Sequence, residues 1–181
     1  MINEGDVYIP GAVYYYEIAK EKKLVNDRKD VALHIPVIAV PKGNLGNIKE
    51  LYDLKKYGIR VVLGDEKSAA IGNLSKEVLI KNNLYEEVKK NLIATTPTVN
   101  ELVVYISIKQ ADASIIWEDN VKGVKGIEII PILKEKNSIK TIPISSLKCS
   151  QNKDAAERFI EFVCSDKGKS VFNKHGFTAI E

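Results

Sequence analysis

A chain of 181 residues with 45% hydrophobic and 28% charged side chains can bury a real core, as one ordinary domain or two small lobes. Its formal net charge is only +3, and its Lys and Glu residues are interspersed, which excludes the basic stripe that nucleic-acid binding needs. No apolar run approaches membrane-spanning length, and two scattered cysteines, Cys149 and Cys164, make neither a disulfide framework nor a metal cluster.

The hydrophobic pattern alternates between short strand-like runs and helical spacing. Asp6–Ile9 reads as a strand, and Met1–Gly5 runs straight into it, which predicts no signal peptide. Pro10 and Gly11 break the chain before a helix over Ala12–Leu24. Ile35–Val40 is a fully apolar strand, followed by a helix from about Asn47 to the closing Gly58, then a strand at Ile59–Leu63. After the loop Gly64–Gly72 come a helix to about Asn82 and a short helix at Tyr85–Asn91. Leu92–Ala94 is a strand, Val99–Lys109 a helix, and Ala113–Trp117, Ile127–Ile132 and Thr141–Leu147 are strands. Helices at about Lys153–Cys164 and Asp166–His175 close the chain. The expected class is α/β, with mainly parallel sheets covered on both faces.

In such sheets ligands sit beyond the carboxyl ends of strands, so the strand-to-helix loops are the places to search. Three stand out. In Gly64–Gly72 the small residues Ala69 and Ala70, beside Ile71, let backbone approach a ligand, and Ser68 adds a hydroxyl. In Thr95–Val99 the hydroxyls of Thr96 and Thr98 join the free N–H groups of Val99 and Asn100 at the positive end of a helix dipole. The third is the strand end at Trp117, with Glu118 and Asp119. The ordinary alternative is strong for each. Thr98 with Glu101 is a capping box, Ser68 sits in a plain tight loop, and Trp117 belongs to the core. The functional reading gains weight because helix starts gathered at one sheet end hold an anion with neutral donors.

No loop offers a reaction. Neither His34 nor His175 lies near Ser68 or Cys149 in these loops, and no glycine-rich phosphate loop is present. The expectation is a binding protein without catalytic residues, metal or cofactor.

Several segments together resemble a known family. IPVIAVPKGN, IRVVLGDEKSAAIG, VNELVVYISIKQADASIIWEDNV and TIPISSLKCSQNKDAAERFIEFVCSDKGKSVFNKHGF occur in the order and spacing of the molybdate/tungstate-binding proteins of ABC importers. The closing S-x-x-G and F-x-x-x-G-F pattern is the most specific part, and the opening DVYIPGAVYYYEIAKEKKLV is similar to the family's D-V-[FY]-x-S-A segment. The resemblance implies a type-2 periplasmic-binding-protein fold with two α/β lobes, here 1–35 with 139–181 and 36–138. It implies an oxyanion ligand held by neutral donors and an ABC transporter permease as partner.

Carried over, one backbone N–H ligand falls at Ile71, another at Val99, and a tyrosine hydroxyl falls at Trp117, whose indole N–H is the remaining donor. The family's signal peptide and two serine loops have no counterpart here. The resemblance therefore implies an incomplete first lobe, weak or absent molybdate binding, and self-association through an unpaired sheet edge. Family members work outside the cytoplasm. A cytosolic oxyanion-sensing domain of a regulator, or a binder of sulfate or phosphate, stays open.

Overall fold

A computed structural model describes residues 4–180. Met1-Ile2-Asn3, part of the segment read above as running without a leader into the first strand, lies outside them, as does Glu181. In chain order the elements begin with β1 (Val7–Tyr8), α1 (Val13–Glu21), β2 (Lys29–His34), β3 (Pro36–Pro41) and β4 (Val61–Gly64). Next come α2 (Ala70–Lys81), α3 (Tyr85–Lys89), β5 (Leu92–Thr96), α4 (Val99–Ser107), β6 (Ala113–Trp117), α5 (Glu118–Val121) and β7 (Ile127–Pro131). The last are β8 (Lys140–Ser146), α6 (Lys153–Cys164), α7 (Asp166–Lys174) and β9 (Thr178–Ala179). The chain divides after His34 and after Ile139 into two compact units.

The unit spanning Ile35–Ile139 is built on a five-stranded sheet in the order β5-β4-β6-β3-β7. Every residue of β3, β4 and β6 is buried, so these apolar runs lie in the middle of the sheet with both faces covered. β5 alternates exposed and covered positions and stands at the sheet's edge. Ile71, Leu74, Val78 and Leu79 of α2, with Leu102 and Ile106 of α4, complete one large core.

The other unit carries a four-stranded sheet, β1-β8-β2-β9. Ala156, Ile160 and Val163 recur at helical spacing on α6, and Ile160 and Val163 pack with Val31 of β2 and Ile144 of β8 in a smaller core. Its S-x-x-G motif has a structural reason. Ser165 caps α7 by accepting from the Gly168 N–H, and a Cβ on Gly168 would sit 2.2 Å from the Val163 carbonyl oxygen.

The expectation of mainly parallel sheets is corrected. In the five-stranded sheet only β4 with β5 and β4 with β6 run parallel, while β3 pairs antiparallel with β6 and β7. All pairings in the four-stranded sheet are antiparallel. A continuous apolar run reports burial on two faces and carries no information on direction.

The helix expected from Asn47 is a short 3-10 turn at Leu51–Lys55. Asn47 sits at a φ of 47°, and the Asn44 side chain accepts from the Ile48 N–H and donates to its carbonyl, so helix cannot extend back from Leu51. β2 was not expected at all. Its outer residues Lys29 and Asp30 are exposed, and pairing with β8 creates the strand where local propensity does not.

The difference between the two cores predicts a hierarchy of stability. Amide hydrogen exchange is expected to be slowest in Val61–Leu63 and Ala113–Ile116, with β2 and β8 exchanging sooner. Equal protection of β2 would contradict the larger core's dominance.

Candidate functional site

β4 and its two neighbours β5 and β6 are parallel, so their carboxyl ends lie side by side, with strand spacing of about 4.8 Å. The register levels them. Gly64 pairs with Thr96, Asp65 N–H donates to the Thr96 carbonyl at 2.7 Å, and Val62 pairs with Ser114. Counting three residues on from that last pair brings Asp65 and Trp117 to the same level. The three loops singled out from the sequence therefore leave one end of one sheet.

The loop after β4 is organised by Asp65. Its Oδ1 accepts from the Lys67 N–H at 3.0 Å, the Ser68 N–H at 2.9 Å and the Ser68 hydroxyl at 2.8 Å. The Ser68 hydroxyl, followed by these N–H groups, holds the Asp65 carboxyl below the usual carboxylate range. Ala69 N–H returns to the Asp65 carbonyl, and α2 begins at Ala70. The helix comes so close behind the strand end that a Cβ on Gly72 would lie 2.3 Å from the Asp65 carbonyl oxygen. Ala70 is exposed and the Ile71 side chain is buried in the core. Neither residue's N–H has an acceptor among the described residues.

The loop after β5 ends in a capped helix start. Thr98 accepts from the Glu101 N–H at 3.4 Å and donates its hydroxyl to Glu101 Oε1 at 2.9 Å. Thr96 donates its own hydroxyl to the Thr98 carbonyl. The N–H groups of Val99 and Asn100, in the first turn of α4, have no acceptor among the described residues. Two helix starts thus offer four unclaimed N–H donors, each start carrying roughly half a positive charge.

The third loop differs. Trp117 ends β6, is 8% exposed and packs in the core, while the following Glu118 N–H donates to the Ile35 carbonyl. α5 is only four residues long, and its first N–H is already used. The Ser68 and Thr98 hydroxyls both point their hydrogens at carboxylates, so what these loops offer a ligand is backbone N–H, not side-chain hydroxyl. Sequence reasoning missed Asp65 as the loop's organiser, although an Asp three residues before a Ser between a strand and a helix is a readable signal for such a turn.

A family model described as bacterial extracellular solute-binding protein matches residues 2–178. The chain belongs to this family. A Bacillus subtilis protein that carries the name of an ABC transporter substrate-binding lipoprotein, YvgL, is 27% identical over 179 residues, covering 93% of this chain and 68% of its own. The molybdate-binding protein ModA of Haemophilus influenzae is 28% identical over 120 residues, covering 65% of this chain and 46% of its own. Among solved structures, a substrate-binding domain from Clostridium difficile, assigned by name to a molybdenum ABC transporter, superimposes with a TM-score of 0.85 at 24% identity. It is covered over 97% of this chain and 77% of that one. The periplasmic molybdate-binding protein of Azotobacter vinelandii gives 0.72 at 13% identity, covering 97% and 79%. These likenesses fix the fold as the α/β type of the type-2 periplasmic binding proteins, with mixed sheets. The family is one of binding proteins, not of enzymes.

Proposed function

We propose that the protein is the solute-binding component of an ABC importer and that its solute is a small tetrahedral oxyanion, molybdate or tungstate by preference. The observation that carries this reading is the set of four unclaimed N–H groups, on Ala70, Ile71, Val99 and Asn100, at two helix starts beyond adjacent parallel strands. Such donors suit an anion that carries no proton at neutral pH, because they stabilise charge and require no acceptor in return. The names of the Haemophilus and Azotobacter relatives support molybdate. A sulfate-binding protein of Mycobacterium tuberculosis, SubI, shares the fold with a TM-score of 0.74 at 14% identity, which makes sulfate the anion to test against it.

In this reading the partner is the importer's permease, the protein works outside the cytoplasm, and no metal or cofactor takes part. No helix among the described residues is long and apolar enough to cross a membrane.

Calorimetric titration with molybdate, tungstate, sulfate and phosphate at equal ionic strength tests the reading. Molybdate and tungstate are expected to bind at least about tenfold more tightly than phosphate. Ser68→Ala is expected to change molybdate affinity little, since its hydrogen is already held by Asp65. Tighter binding of sulfate would reassign the solute, and phosphate binding as tightly as molybdate would overturn the reading of neutral donors selecting a proton-free anion.

A further inference from the structure

A recess of about 440 Å³ lies on the flank of the same unit, against α2 and α3. It shares Gly64, Asp65, Lys67, Gly72 and Thr95 with the loops described above, but none of the donor residues Ala70, Ile71, Val99 and Asn100 lines it. Its volume is within the range of small-molecule pockets, roughly 300–1,000 Å³. Leu92 and Tyr85 are its partly exposed apolar residues, and the buried Leu63 and Leu79 lie behind them.

The polar lining has a surplus of one positive charge, Lys67, Lys76 and Lys89 against Asp65 and Glu66. Glu66 is internally neutralised, accepting from Lys76 Nζ at 2.6 Å and from the Tyr85 hydroxyl at 2.5 Å. Asp65 is engaged by its own turn. Lys67 and Lys89 also line the recess and form no ion pair among the described residues. Lys76 Nζ and Lys89 Nζ sit 5.3 Å and 5.8 Å from the Tyr85 ring centroid, and the charge of Lys89 also reaches Glu66, whose carboxyl it helps hold below the usual range. Exposed lysines are ordinary. Three lysines against two carboxylates on the lining of one recess leave a place for a single anionic group whose hydrocarbon body fills the rest.

We propose that this recess is a second ligand site, which takes a small organic anion with an apolar body, its head group on Lys89 and Lys67 and its body against Tyr85 and Leu92. The site is independent of the oxyanion reading.

NMR titration of the full chain with benzoate, phenyl phosphate and benzyl alcohol tests it. Benzoate or phenyl phosphate is expected to shift the signals of Tyr85 and Lys89 and to saturate by ~10 mM, and the two probes distinguish a carboxylate from a phosphate head. Benzyl alcohol is expected to bind about tenfold more weakly or worse. Lys89→Gln should weaken the anions by about tenfold, with Lys89→Arg restoring them. Because Lys89 is exposed on a short helix, neither variant threatens folding, and molybdate affinity should be the same in both. Failure of both anions to saturate, equal binding of benzyl alcohol, or indifference to Lys89→Gln would overturn the proposal. Loss of molybdate binding with these results intact would count only against the oxyanion reading.

Discussion

The double substitution Ala70→Pro with Val99→Pro is expected to weaken molybdate binding by about a hundredfold or more while leaving the melting temperature nearly unchanged. Both residues are the first of their helices, following the N-caps Ala69 and Thr98. Proline is favoured there, because its fixed φ suits the first turn and the N–H it lacks has no intrahelical partner. The residue before each is already extended, Ala69 at φ −116° and ψ 124° and Thr98 at φ −131° and ψ 149°, which is the conformation a following proline demands. The substitution therefore removes two donors without breaking either helix.

Each N–H bond to a charged partner contributes about 1.5–3 kcal/mol, so losing two corresponds to about 3–6 kcal/mol, or roughly a hundred- to ten-thousandfold. Val99 is half-buried against the core, so a small stability change is expected at that position alone. Calorimetry beside a thermal melt separates the two effects. Unchanged affinity in a folded double variant would remove both helix starts from the site.

Gly72→Val is expected to be the most damaging single substitution in the unit that carries the site, costing about 3 kcal/mol or more. A Cβ there would lie 2.3 Å from the Asp65 carbonyl oxygen and 2.4 Å from that of Gly64. Those neighbours are backbone atoms, at the junction of β4 with α2, and no rotamer change relieves the contact. Gly64 is tight from the other side, since a Cβ on it would meet the Gly72 N at 2.8 Å. The two glycines let the helix start directly behind the strand end, and that close start fixes where the Ala70 and Ile71 N–H groups sit. Chemical denaturation measures the loss. A stability within about 0.5 kcal/mol of the parent would show that the junction yields easily and does not fix the loop.

The elements that sequence made legible are those whose pattern has one physical cause. The runs at Pro36–Pro41, Val61–Gly64 and Ala113–Trp117 are apolar because both faces are buried, and S-x-x-G at Ser165 is a cap with a close helix approach. The direction of β3 was not legible, since an antiparallel centre strand buries the same side chains as a parallel one. β2 was hidden because its outer half is charged and exposed and only its partner β8 makes it a strand.

At the site, sequence placed the loops correctly at helix starts but could not show where the hydroxyl hydrogens of Ser68 and Thr98 go. That depends on carboxylates three residues away, Asp65 before the one and Glu101 after the other, folding back onto them. An N-cap threonine looks the same in sequence whether its hydrogen faces a ligand or its own capping box.

The central claim is that a tetrahedral oxyanion is held by backbone N–H groups at the starts of α2 and α4. It is tested most directly by amide NMR of the nitrogen-labelled protein during a molybdate titration, which reads individual N–H groups whether binding is strong or weak. The amides of Ala70, Ile71, Val99 and Asn100 are expected to move furthest and to saturate together on one isotherm, with Tyr85 and Lys89 unmoved. Saturating shifts elsewhere in the chain, with those four amides still, would contradict it.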